Sequence, residues 1–244
     1  MRQAHDVATV RRAECAAWVR VAEGALMQRA AAGLAATCGR VLDRVYGAQV
    51  AILVGSGDNG GDALFAGALL ARRGAIVSAV LLSDRAHVEG LAELRAAGGR
   101  VDKPSVLASA DLVIDGIVGI GGRGALRDEA IAAVAGISAS ALVVSVDVPS
   151  GVDADTGEVA GAAVRAHATV TFGTWKPGLL VDPGAWHAGA VECVDIGLAP
   201  YLPPSTVAAL QDADVAELLP RPSAESEKYR RGVCGIVAAN RRYT

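Results

Sequence analysis

Aromatic residues are scarce in this chain. They make up 4% of its 244 residues, so a large core has to be built from alanine, valine, leucine and isoleucine. Apolar residues as a class are plentiful: hydrophobic positions reach 52% and charged ones 20%, which argues against disorder over most of the length. A basic patch is also missing. Nucleic-acid binding rests on phosphate neutralisation by Lys and Arg, and with a net charge of −3 no nucleic-acid partner is expected. None of the four cysteines (Cys15, Cys38, Cys193, Cys234) forms a C-x-x-C pair or has a histidine at ligand spacing, so they read as thiols of a reducing compartment. His5, His87, His167 and His187 are scattered and read as surface or structural residues. No run of about 20 apolar residues occurs. The N-terminal MRQAHDVATVRRAECAA has no apolar signal core. No membrane partner is expected, and the cytoplasm is the default location. There is no internal repeat and no low-complexity segment.

Glycine, by contrast, is concentrated where it has most effect. In AQVAILVGSGDNGGDALFAG, residues 48–67, an apolar run ends in GSGDNGG and a helical pattern follows from Asp62. Four glycines in seven residues cost chain entropy and make sense where backbone needs positive φ or comes close to a ligand. A strand-to-helix turn also aims free N–H groups outward in a field that favours anions. The turn reads as a phosphate or nucleotide site, and a plain tight turn is the other reading. Asp58, Asn59 and Asp62 favour the site, because a structural turn does not need two carboxylates and an amide.

The length suits one α/β domain with extensions, or one and a half domains. From Val10 to Tyr46 apolar residues recur three or four apart, which predicts helix, with Gly33 and Gly39 as candidate divisions. Strands are then expected over 48–55, 75–82, 110–118 and 141–148, with helices over 62–73, 87–97 and 127–135 between them. Two further strands, HATVTFG and GAVECVDIG, follow without a clear helix and are expected to extend one edge. Near-continuous Val/Ile/Leu runs mean strands covered on both faces. The fold class is therefore α/β: a three-layer α/β/α Rossmann-like sandwich with a mainly parallel sheet. After Tyr201 the character changes. LPRPSAESE is linker-like, and GVCGIVAAN, residues 232–240, reads as one new strand.

Acidic residues fall at the C-terminal ends of three expected strands: Asp58 and Asp62, then Asp115, then Asp147. Ligands of open α/β sheets bind outside those strand ends, so these carboxylates are expected to converge. Each alone also reads as a helix N-cap. GIVGIGGRG after Asp115 is a second glycine turn, able to hold a phosphate through its N–H groups and Arg123. Asp84 is open between a ribose contact and an N-cap, and Lys176 between the crevice and a solvated turn. Asn59, Asp115 and Ser150 offer an amide oxygen, a carboxylate and a hydroxyl, a set that suits a hard cation and not zinc.

These segments resemble a known family. VGSGDNGGDALFAGALL, DGIVGIGGRGALR, SVDVPSGVDADTG, ATVTFGTWKPGLL and the late VDIGL stand in the order found in the NAD(P)H-hydrate epimerase family, the YjeF N-terminal domain. The resemblance covers roughly Val21 to Leu198. The tail LPRPSAESEKYRRGVCGIVAAN is similar to the start of an ADP-dependent hydrate dehydratase domain. The resemblance therefore implies an epimerase domain over 1–210, and over 211–244 a linker and a truncated dehydratase start without dehydratase activity.

It implies an isomerase that interconverts the R and S forms of hydrated NADH and NADPH, NAD(P)HX. Its implied cofactor is potassium, and a dehydratase, fused or separate, is an implied partner. Asp58, Asn59, Gly60, Gly61 and Asp62 would line the substrate site. Gly119, Ile120, Gly121, Gly122, Arg123, Gly124 and Ala125 would cradle its phosphates, and Asp147 would contact the hydrated ring. Asn59, Asp115 and Ser150 would hold the K+ ion. Asp147 is the expected acid/base group, with Asp62 second. The chain departs from the family pattern at Asp58 (usually Asn), Ala63 (usually Gly) and Ile120 (usually Thr). A non-catalytic nucleotide-binding or interaction module on the same fold is the alternative. A homodimer is expected from the apolar N-terminal helices.

Overall fold

The computed structural model describes residues 1–22, 24–122, 124–219, 221 and 233–235. The chain divides into two compact units. Gln3–Ala208 forms one; Met1–Arg2 with Ala209–Thr244 forms the other.

The larger unit is built on a seven-stranded sheet. Its strands in chain order are β1 (Gln49–Val54), β2 (Ile76–Leu81), β3 (Arg100–Val101), β4 (Leu112–Gly116), β5 (Leu142–Val146), β6 (Ala168–Phe172) and β7 (Ala190–Val194). In space they run β3-β2-β1-β4-β5-β6-β7, and every adjacent pair is parallel. Register places Ile52 of β1 beside Ala79 of β2 on one side and Ile114 of β4 on the other. The apolar runs alternate between two cores. Val50, Ile52 and Val54 face the layer of α1 (Val7–Trp18), α2 (Ala25–Val41), α3 (Asp58–Arg72) and α4 (Val88–Ala96). Ala51, Leu53 and Val113 face Leu107 and α5 (Asp128–Ala135). The strand order reverses direction between β1 and β4, which makes the gap outside their carboxyl ends the natural ligand crevice.

The N-terminal helical stretch divides differently from the sequence-based expectation. Its break lies between Trp18 and Ala25, whereas Gly33 and Gly39 sit inside α2. Gly33 is a packing residue: a Cβ there would come within 2.5 Å of Val194 in β7. Both helices bury their apolar stripes in the chain's own core, through Val10, Ala13 and Ala17 of α1 and Leu26, Ala30 and Leu34 of α2. The helix expected from Asp62 begins at Asp58, so the turn proper is only Gly55–Gly57. The strands β6 and β7 do extend one edge, joined by a 3-10 turn (Pro177–Leu179) and the short α6 (Gly184–Ala188).

In the smaller unit α7 (Asp212–Leu218) begins with reciprocal hydrogen bonds between Gln211 and Asp214. Of the strand expected over 232–240 only 233–235 are described, without regular structure; the rest lies outside the described residues. The four cysteines are free thiols. No helix among the described residues is long and apolar enough to cross a membrane.

Candidate functional site

The crevice at the reversal point is a cleft of about 1620 Å³. One wall is the start of α3. Its N-cap, Gly57, has no side chain to satisfy the first N–H groups, so the helix presents them to the cleft beside Asp58 and Asn59. The opposite wall is the β4 loop from Ile117 to Ala125. The two walls meet at a backbone contact and at a side-chain contact. A Cβ on Gly55 would sit 1.8 Å from the carbonyl oxygen of Ile117, and one on Gly119 would sit 2.6 Å from Asn59 Oδ1. Glycine is required at Gly55, where the neighbour is backbone; at Gly119 the neighbour is the tip of the Asn59 side chain.

Asp147 follows β5 and lines the cleft with φ of +65°, in the left-handed region. A non-glycine residue there carries local backbone strain, which clusters at functional positions. Its Oδ1 is gripped from behind. The ammonium of Lys176 donates to it at 2.5 Å, the Thr171 hydroxyl at 3.1 Å and the Phe172 N–H at 3.4 Å. Lys176 is only 1% exposed and spends its other donors on Thr171 Oγ1 and the Phe172 carbonyl. Asp147 Oδ2 is left toward Gly119. The sequence left Lys176 undecided; the structure makes it the buried counter-ion of Asp147.

Asp62 comes up through α3 on the same crevice and is buried. Burial pushes its carboxyl well above the usual range, and the nearby charges of Asp147, Asp58 and Glu14 push further in the same direction, with Lys176 opposing. Its Oδ1 and the Nδ2 of Asn59 are buried without a hydrogen-bond partner among the described residues. Such orphaned polar atoms ordinarily mark a place for a ligand, an ion or water. Glu14 of α1, which sequence reasoning missed, lines the cleft too. Its carboxyl is raised mainly by burial and then by the charge of Asp147.

Asp115 does not line the cleft. It lies fully buried behind the rim, its Oδ1 accepting from the Ser150 hydroxyl at 2.6 Å and its Oδ2 from the Ser145 hydroxyl at 2.8 Å and the Ser150 N–H at 2.9 Å. Burial raises its pKa, and these hydrogen bonds oppose the rise. The Val118 N–H in turn donates to Ser150 Oγ at 3.0 Å. Asp115 and Ser150 thereby tie β4, β5 and the cleft loop together.

Of the other expected site residues, Asp58, Asn59, Gly119, Ile120, Gly121, Gly122, Gly124 and Ala125 line the cleft. Gly60 and Gly61 do not. They are buried in α3, where a Cβ would strike the Gly55 carbonyl oxygen at 2.5 Å or the His87 ring at 2.9 Å. Their role in the structure is close packing. Arg123 lies outside the described residues. His87, expected to be surface or structural, caps α4 through the Gly90 N–H, and it also stands at the cleft beside Phe65.

Residues 23–178 match the family described as YjeF-related protein N-terminus. The chain belongs to that family. It is 48% identical over 250 residues to a Mycobacterium leprae protein named bifunctional NAD(P)H-hydrate repair enzyme Nnr, covering 100% of this chain and 51% of that protein. It is 41% identical over 220 residues to a Microbacterium testaceum protein named NAD(P)H-hydrate epimerase, covering 86% of each. The chain thus spans about half the length of its mycobacterial relatives. The crystal structure of yeast ynu0 shares the fold with a TM-score of 0.58 at 20% identity, over 66% of this chain and 74% of that one.

Proposed function

We propose that this chain epimerises NAD(P)HX, interconverting the R and S forms of hydrated NADH and NADPH. One observation carries the reading: Asp62, inclined to keep its proton, and Asp147, paired with a buried lysine, open onto one crevice beside the glycine loop. Family membership and the relative named NAD(P)H-hydrate epimerase support it.

Inversion at C6 of the hydrated ring needs the C6–O bond to break and re-form. Asp62 gives its proton to the departing hydroxyl, which leaves as water with the C–O electron pair. The lone pair of the ring nitrogen forms the C=N bond of an iminium. Water adds to either face, the C=N pair returns to nitrogen, and the added water gives up one proton to a carboxylate. One proton is lent and one recovered, so no oxidant or reductant enters. The cationic intermediate is favoured by the carboxylates of Glu14, Asp58 and Asp147 around it. Lys176 and Thr171 keep Asp147 in one rotamer.

Asn59, Asp115 and Ser150 are the residues that would hold K+. Asp115 is a buried carboxylate without a Lys, Arg or His partner among the described residues, and Asn59 brings an amide oxygen to the loop at Gly119. An all-oxygen set of this kind fits a hard cation. A bound ion would offset the charge of Asp115 and stiffen the cleft loop. A dehydratase, fused or separate, is the partner such an epimerase would serve.

The test is proton NMR of purified hydrate epimers. We expect equilibration well above the spontaneous rate, and a loss of about 100-fold in Asp147→Asn, which removes a charge that stabilises the cationic intermediate. Wild-type equilibration at the spontaneous rate would overturn the epimerase reading; equal rates for both proteins would remove Asp147 from it.

A further inference from the structure

We propose that α1 orients the substrate, with Arg11 closing over its phosphates against the Gly119–Gly122 loop and Glu14 marking the end where the uncharged ring belongs. The inference rests on the reading of the cleft as a dinucleotide site.

Arg11, Glu14 and Trp18 stand at i, i+3 and i+7, on one face of α1, and all three line the cleft. A different set, Thr9, Val10, Ala13 and Ala17, is buried and fixes the helix in place. The Arg11 guanidinium reaches the loop: its Nη2 lies 3.4 Å from where a Cβ on Gly121 would stand. Among the described residues it makes no ion pair and no hydrogen bond. The N–H groups of Gly119, Ile120 and Gly121 likewise have no protein acceptor among the described residues, while that of Gly122 is used within the turn by the Gly119 carbonyl. A guanidinium that has no hydrogen-bond partner among the described residues, beside a loop with three N–H groups lacking a protein acceptor, can receive a phosphate oxyanion; its charge also acts on Glu14, one turn along the helix.

One turn further along α1 the sign reverses. Glu14 lines the same cleft as Asp58, Asp62 and Asp147; burial and then the charges of Asp147 and Asp58 raise its carboxyl while those of Lys176 and Arg11 lower it, and this acidic end accepts a neutral or cationic ring rather than a second anion. The helix face therefore carries a positive and a negative group in the order of the substrate's own charges, which sets the direction in which a dinucleotide lies. Neighbouring Arg12 provides the contrast. Its Nη2 donates to Thr9 Oγ1 at 2.8 Å, and it does not line the cleft.

Calorimetric titration of the whole chain with ADP-ribose and with adenosine tests this, using wild type, Arg11→Gln and Arg12→Gln. We expect wild type to prefer ADP-ribose. Arg11→Gln should lose about tenfold in ADP-ribose affinity, one charge-assisted phosphate contact, with adenosine unchanged. Arg12→Gln should change neither. The clamp is overturned if Arg11→Gln keeps its ADP-ribose affinity within twofold, if both probes weaken equally, or if wild type does not prefer ADP-ribose. The expected pattern in a protein that does not equilibrate the hydrates would retain the clamp and discard the epimerase reading. Active wild type with unchanged affinities in Arg11→Gln would do the reverse.

Discussion

Asp147 and Lys176 form a demanding contact, a carboxylate and an ammonium both withdrawn from water. Such a pair owes its stability to completeness: removing one partner leaves the other charged and unpaired, at a cost of about 3–5 kcal/mol. We expect Lys176→Met and Asp147→Asn each to lose an amount in that range in urea unfolding. The double variant should lose less than the sum; strict additivity would show that the two side chains do not depend on each other. Asp62 makes the opposite kind of prediction. Its folded carboxyl holds a proton to higher pH than the ordinary value of 3.8. The folded state then binds more protons, so this residue's contribution is complete below the unfolded pKa and is lost as pH rises through the folded one. Thermal melts should show Asp62→Asn losing less stability than wild type between pH 4 and pH 7. An identical pH dependence in the two proteins would refute the shift.

Elements meet here through missing side chains. β1 and β4 can carry their loops into contact only because residue 55 has no Cβ, the oxygen of Ile117 occupying that space. Backbone cannot yield as a side-chain tip can, so Gly55→Ala should destabilise by at least about 3 kcal/mol or prevent folding, as read by circular dichroism and chemical denaturation. A stable, wild-type-like Gly55→Ala would disprove the close approach. The same logic explains a departure from the family pattern. Ala63 is fully buried, and its methyl lies 2.6 Å from where a Cβ on Gly116 would stand, so glycine at 116 makes the room that alanine at 63 fills. The parallel strands and the helices after them were legible, because buried strands read as apolar runs and amphipathic helices as 3.6-residue stripes. The start of α3 was misplaced by a turn because Asp58–Gly61, poor helix formers by composition, are held in helix by packing of Gly60 and Gly61.

Over the whole molecule the decisive feature is the reversal of strand order between β1 and β4. It brings α3 and the Ile117–Ala125 loop face to face and sets β5 and β6 beside them with Asp147 and Lys176. If the Asn59–Asp115–Ser150 neighbourhood holds K+, global stability is linked to that ion. At tenfold above its Kd the linkage is worth about 1.4 kcal/mol. We expect the melting temperature to rise with KCl more than with choline chloride at equal ionic strength, and the difference to vanish in Asn59→Ala. Equal responses to the two salts would remove the cation site.

From the sequence alone came the α/β class, six of the seven strands of the sheet and the helices after β1, β2 and β4, the two glycine turns and the acidic residues at strand ends, because each is written in local spacing and backbone freedom; the two-residue strand Arg100–Val101 is too short to show a pattern. The tertiary structure decided what distance along the chain conceals. It made Lys176, one of three lysines among twenty arginines, the buried partner of Asp147 across 29 positions. It set Asp115 behind the rim as a tie between strands, and it turned one face of α1 into the cleft with Arg11 and Glu14. Charge pairing and burial depend on which surfaces meet, and only the folded sheet fixes that.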